Sequence, residues 1–190
     1  MNWYREYITA AKVQPKDDDF SWTYIEVPEE VMKLHRSFTK TIEKNDLYIE
    51  KAKGGDYHYG IEDDPHITAK YGFSFDDPKQ VIEVLDGAKG GNVSVEAIDV
   101  FEKDEYDVLV IKCKSSALAK IHAKLTDDLG IEDKYPVFKP HVTIAYFKTG
   151  KAKKYKPLAE KHFLDKGIEF EFDKVFFEDT EDKTTQIDIE

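Results

Sequence analysis

The sequence predicts an α+β protein of two pseudo-symmetric lobes, each of largely antiparallel sheet with helices outside. Three observations carry this. Apolar residues recur at helical spacing in some stretches and at alternate positions in others, so helices and strands interleave along the chain. Several links between strands are tight hairpins, which join antiparallel neighbours and cannot serve as parallel crossovers. One seven-residue segment also occurs twice, with starts 75 residues apart, as two halves of a duplicated architecture would carry it.

Residues 1–20 read as an N-terminal arm, with Trp3, Tyr4, Tyr7 and Ile8 on a short amphipathic helix that Pro15 and Asp17–Asp19 end. Residues 21–190 read as a single two-lobed domain. Ser21–Val27 is a strand. Pro28 opens a helix, with Glu29 and Glu30 in its first turn and Val31, Leu34, Phe38 and Ile42 on its apolar face. Residues 45–63 are polar and irregular, apart from a short strand near Leu47–Glu50. Pro65–Phe73 is a strand. The next helix carries Val81, Val84, Leu85 and Ala88 and ends at Gly87–Gly91. Val93–Lys103 and Tyr106–Lys114 form a hairpin around Asp104 and Glu105. Ser115 or Ser116 caps a helix whose stripe is Leu118, Ile121, Leu125 and Leu129, and Gly130 stops it. His141–Lys148 is a strand and 152–165 a helix. Ile168, Phe170 and Phe172 then alternate with acidic residues. The parity shifts at Val175 and Phe177, which predicts a bulge near Lys174. Gln186–Ile189 closes the chain as a strand.

The 190 residues carry a net charge of −11 and a pI near 5.1. Affinity for long nucleic acid rests on many Lys and Arg contacts to phosphate. The balance therefore argues against a long polyanion and for a small nucleotide. Cys113 is the sole cysteine, so no internal disulfide can form, and it lies in an apolar run. The N-terminus lacks the apolar core of a signal peptide, and no apolar run reaches bilayer-spanning length. A cytoplasmic protein without a membrane role is the expectation. No paired cysteines, His-Glu-x-x-His, Asp-x-Asp loop or phosphate-binding Gly loop occurs, so neither metal nor cofactor is expected.

The repeat carries the chemistry. Pro65-His66-Ile67-Thr68-Ala69-Lys70-Tyr71 matches Pro140-His141-Val142-Thr143-Ile144-Ala145-Tyr146 at Pro, His, Thr and Tyr. On a strand, residues i and i+2 share a face, so His66 projects with Thr68 and His141 with Thr143. Imidazole titrates near neutral pH. One ring can therefore accept the proton of an attacking hydroxyl or water while the other protonates the leaving oxygen. Each transfer contributes roughly a hundred- to ten-thousand-fold in rate. The Thr hydroxyls can donate to the phosphate oxygens. One His-x-Thr on a strand is commonly structural; two copies with matching Pro and Tyr favour a catalytic pair.

This repeat resembles the 2H phosphoesterase superfamily, named for two His-x-Thr or His-x-Ser motifs, over most of residues 20–190. The resemblance implies a 2H phosphoesterase (RNA 2'-5' ligase-like) fold and metal-independent cleavage of nucleotide phosphodiesters. It gives the catalytic roles to His66, Thr68, His141 and Thr143. Bacterial members similar to RNA 2'-5' ligases tend to carry Arg five positions after each His, where this chain has Tyr71 and Tyr146. The stretch Gly60–Thr68 is similar instead to phage-encoded members, which include anti-CBASS enzymes that destroy cyclic oligonucleotide immune signals. The reading is thus a phosphodiesterase of a small cyclic or 2'-linked oligonucleotide. The alternatives are an RNA 2',3'-cyclic phosphodiesterase and a silent nucleotide-sequestering module.

Three further residues are substrate-binding candidates. Lys70 shares the parity of His66 and Thr68 and could meet a phosphate oxygen, or sit on the rim. Trp22 and Tyr24 share one face of the first strand and could stack on a base, or pack in the core. Lys151, Lys153, Lys154 and Lys156 could steer an anion or simply be a solvated helix start. His35 and His122 lie on or beside apolar helix faces and read as structural. Phe176–Glu178 could close over the groove as a lid.

Overall fold

The computed structural model describes residues 20–51, 57–133 and 137–190. The expected N-terminal arm lies outside them, except for Phe20.

The alternating pattern of Ser21–Glu26 forms β1, and the chain then turns at Pro28 into α1, Glu29–Thr39. Two three-residue strands follow, β2 (Ile49–Lys51) and β3 (Tyr57–Tyr59), paired with each other. The first motif opens β4, His66–Phe73, and α2 spans Lys79–Leu85. The long hairpin is β5 (Gly91–Glu102) and β6 (Tyr106–Lys114). Helix α3, Ser116–Leu129, starts where the Ser115 side chain accepts from the Leu118 amide, 3.2 Å, and stops at Gly130 with φ 64°. The second motif opens β7, His141–Lys148, and α4 spans Ala152–Phe163. Strands β8 (Glu169–Phe172), β9 (Lys174–Glu178) and β10 (Thr184–Asp188) end the chain.

Eight strands make one antiparallel sheet in the order β10-β9-β1-β4-β7-β6-β5-β8. It divides into two halves of four at the β4–β7 junction. In each half a strand leads through a helix to its motif strand, β1–α1–β4 and β6–α3–β7. After β4 and α2 the chain crosses to β5 beside β6; after β7 and α4 it adds β8 beside β5 and only then crosses back to β9 beside β1. The duplicated sequence is thus a duplicated topology with exchanged strands.

Helices and sheet share one core, which takes Ile25, Ile67, Ile98, Ile111 and Val142 from the strands, all 2% exposed or less. The helices supply Phe38, Leu85, Leu118, Leu125 and Phe163. The sheet curls until its outer strands meet. Asp173 alone separates β8 on one edge from β9 beside β1, and its carbonyl accepts from the Ile189 amide, 2.9 Å. Gly90 sits at this closure, where a Cβ would collide with the Phe172 carbonyl oxygen. The expected bulge near Lys174 is therefore a change of sheet partner. The side-chain parity resets because Phe172 and Val175 belong to strands on opposite halves.

Candidate active site

Two bulges set the site. On β4, Tyr24 pairs with Thr68 but Thr23 with Lys70, so Ala69 is an extra residue. On β7, Val110 pairs with Thr143 but Leu109 with Ala145, so Ile144 is extra. The extra residues occupy equivalent repeat positions, one past each Thr. A bulge bends its strand and reverses the facing of the residues beyond it.

Up to the bulge, period-2 alternation holds. Ile67 and Val142 point into the core. His66, Thr68, His141 and Thr143 therefore occupy the opposite, open face of the sheet. The motif strands touch at a single pair, Ile67 with Val142. Extending that antiparallel register by one residue sets each histidine across from the other motif's threonine. The structure thus brings together all four motif residues that the sequence singled out.

Each imidazole is held in the same way. His66 Nδ1 lies 2.7 Å from the Asp64 carbonyl oxygen, and His141 Nδ1 lies 2.7 Å from that of Lys139. A carbonyl only accepts, so each Nδ1 carries the hydrogen and each Nε2 is left for proton exchange. Burial pushes the His141 pKa below the ordinary imidazole value; the bond to Lys139 opposes this, and the charges of His66 and Lys103 add to it.

The walls are aromatic. Trp22 and Tyr24 stack at 4.6 Å, and their rings lie 4.7 and 5.4 Å from that of His66. Phe176 stacks on Tyr24 at 5.4 Å, and burial pushes the Tyr24 phenol up to about 12. On the other half Phe101 meets His141 edge-on at 5.0 Å. Tyr48, Tyr59, Tyr106 and Tyr146 cluster around Val108 and Val110 on the same face. Tyr146 shares a hydrogen bond with Thr143, and burial holds its phenol protonated far above the usual range. Sequence reasoning marked Tyr146 only as a repeat position and missed Phe101, Tyr48, Tyr59 and Tyr106. They come from four separate segments that converge only on folding.

Lys70 requires correction. The bulge at Ala69 reverses its facing, so it lies opposite buried Thr23 on the core side, 2% exposed. Its Nζ donates to Asp133 Oδ1 at 2.6 Å and to the Ile131 carbonyl at 2.9 Å. It belongs neither to the cleft nor to a solvated rim. The basic cluster after β7 is paired rather than free for steering: Lys151 and Lys154 with Asp46, Lys153 with Glu102, and Lys156 with Asp99. Phe176–Glu178 is no lid but the body of β9, with Phe177 in the core.

Among the described residues no group of three His, Cys, Asp or Glu side chains is arranged to hold a metal. No helix there is long and apolar enough to cross a membrane.

The fold and the paired motifs define a class, and sequence comparison agrees. The 2'-5' RNA ligase superfamily matches residues 34–184, and the chain belongs to that family. No curated protein matches the sequence. Among solved structures, Usb1 of Kluyveromyces marxianus with uridine monophosphate aligns at TM-score 0.54 and 10% identity, over 92% of this chain and 100% of that one. E. coli LigT complexed with NADP+ aligns at TM-score 0.54 and 10% identity, over 90% and 95%. TT0787 of Thermus thermophilus aligns at 0.52 and 12%, over 90% and 95%. At these identities the likeness is one of fold.

Proposed function

We propose that the protein is a phosphodiesterase of small cyclic or 2'-linked oligonucleotides, with His66 and His141 as its acid–base pair. The supporting observation is the pair of imidazoles on one sheet face, both anchored through Nδ1 by the carbonyl two residues back. His141, whose pKa is lowered, is the neutral base. Its Nε2 takes the proton of the attacking water or substrate 2'-hydroxyl as the new O–P bond forms. His66 Nε2 gives its proton to the leaving oxygen as the old P–O bond breaks. Solvent then restores both rings. Thr68 and Thr143 donate to the non-bridging oxygens, where charge grows in the transition state. The paired rings supply both proton transfers, and no step is assigned to a metal.

The Trp22–Tyr24 pair and the tyrosine cluster lie on opposite halves and suit bases on either side of a central phosphodiester. The net charge of −11 disfavours a long polyanion. The Usb1 structure holds uridine monophosphate and a LigT structure holds 3'-AMP, which supports a small-nucleotide substrate here. Similarity of Gly60–Thr68 to phage proteins extends the proposal to cyclic oligonucleotide immune signals, degraded in the host cytoplasm. Family membership favours a second substrate, an RNA end carrying a 2',3'-cyclic phosphate.

The test is turnover in EDTA of 2'–5' and 3'–5' cyclic dinucleotides and trinucleotides and of a 2',3'-cyclic-phosphate RNA. His66→Ala and His141→Ala are run alongside. Cleavage that survives EDTA and falls at least a hundredfold in both variants supports the mechanism, and the fastest substrate names the branch. Stoichiometric binding with substrate recovered unchanged would replace catalysis by sequestration.

A further inference from the structure

Behind the sheet lies a second pair of histidines. His35, on α1 of the first half, is 1% exposed, and its Nε2 lies 3.3 Å from the Thr143 carbonyl on β7. The next carbonyl along, that of Ile144, accepts from the Glu62 amide at 3.1 Å. His122, on α3 of the second half, places Nδ1 2.7 Å from the Ala69 carbonyl on β4. Helices α1 and α3 are equivalent in the duplicated topology. Ala69 and Ile144 are the two bulge residues. Each helix therefore sends a histidine across the pseudo-symmetry to the other half's motif strand, His122 to the carbonyl of the bulge residue and His35 to that of the threonine just before it.

A bulge disrupts the ladder and leaves backbone groups that need another partner. In each half an imidazole N–H supplies one, right beside the motif threonine. The second ring nitrogen differs between halves. His122 Nε2 lies 3.1 Å from Asp133 Oδ2, while Asp133 Oδ1 binds Lys70, and the ring stacks on Phe138 at 4.0 Å. His35 is enclosed in the core, where burial lowers its pKa to about 4 and keeps it neutral.

We propose that His35 and His122 are positioning residues: through the Thr143 and Ala69 carbonyls they fix the side-chain rotamers of Thr143 and Thr68 respectively, each from the opposite half. Neither touches substrate. Their effect on turnover rests on the phosphodiesterase reading; their effect on the threonines does not. The bulge sets the backbone angles at the threonine, and those angles set which χ1 is allowed. A phosphate-binding hydroxyl misplaced by about 1 Å costs on the order of a hundredfold in rate.

The experiment measures the χ1 rotamer of Thr68 and Thr143 by three-bond couplings to the labelled Thr methyls, beside kcat, KM and thermal midpoint. His35→Leu is expected to average the Thr143 rotamer and leave Thr68 fixed; His122→Leu does the reverse. Each lowers kcat tenfold or more with KM changed less than threefold. His35→Gln and His122→Asn place an amide N–H near the lost one and are expected to restore rotamer and kcat. Folded Leu variants with both threonines in single rotamers would overturn the proposal. Should the Leu variants not fold, the Gln and Asn variants decide it: averaged rotamers in these folded proteins overturn it, and single native rotamers support it. If the wild-type enzyme turns over nothing in the panel, the phosphodiesterase reading fails, and the crossed rotamer pattern still decides the positioning.

Discussion

Ile67 stands opposite Val142 at the single residue pair where the two motif strands meet. That contact fixes the relation of the two halves. In an antiparallel register the residues on either side of it are His66 facing Thr143 and Thr68 facing His141. Each imidazole is thus neighbour to a hydroxyl from the other copy, and a phosphate over the junction meets one acid–base group and one donor from each half.

The pH dependence of kcat/KM follows from His141. As base it must be neutral, so the rate rises as pH passes upward through its pKa. Burial, with His66 and Lys103 nearby, places that pKa below the ordinary value of 6.5. The acid limb is expected below about 6.5. Lys103→Ala should move it upward, because a cation that disfavours the imidazolium is removed. An acid limb above the ordinary value would contradict His141 as the base.

Trp22→Ala is expected to raise KM roughly ten- to hundredfold with little change in kcat, since base stacking contributes about 1–3 kcal/mol. Its ring lies over the His66 side of the cleft, 4.6 Å from Tyr24. Steady-state kinetics on a dinucleotide substrate checks this. An unchanged KM would return Trp22 to a packing role.

Lys70 acts on stability instead of on substrate. Its side chain is 1% exposed and its partner Asp133 36%. Removing one partner of a buried pair costs about 3–5 kcal/mol, and the partial exposure of Asp133 brings this to about 2–3 kcal/mol for Lys70→Ala. Urea unfolding measures the loss. KM should stay within about twofold, whereas loss of a charge-assisted bond to phosphate would raise it far more.

His35 makes stability depend on pH. Its pKa is about 4 folded, against the ordinary 6.5. Between these values the unfolded chain binds the extra proton, so stability falls as pH drops from about 6.5 toward about 4. The size is on the order of a few kcal/mol. Asp63, pushed up to about 7 by burial and by Glu62 and Asp64, titrates with the opposite sign, its stabilisation fading as pH rises from about 4 to about 7. The His35 contribution is therefore read as the difference between wild type and His35→Gln. A difference that does not change with pH would contradict a neutral, buried ring.

The sequence by itself determined the motif pair and most of the elements, though β3 formed within a stretch read as irregular. Local signals sufficed: Pro28 and Ser115 start helices, Gly130 stops one, and strand alternation sets His66 with Thr68 and His141 with Thr143 on common faces. These depend on neighbours a few residues away, and the repeat announces itself by identity. What tertiary structure alone decided is where alternation breaks and which residues meet across the fold. The reversal of Lys70 depends on a bulge, which exists only as a mismatch with β1. The divergence of β8 and β9 at Asp173 depends on a curled sheet that brings its two edges together. The crossed contacts span 108 residues from His35 to Thr143 and 53 from Ala69 to His122. The tyrosine cluster likewise gathers rings from separate strands and loops, as where Tyr48 stacks on Tyr106. No local pattern encodes such meetings, because they depend on how the sheet's two halves exchange strands.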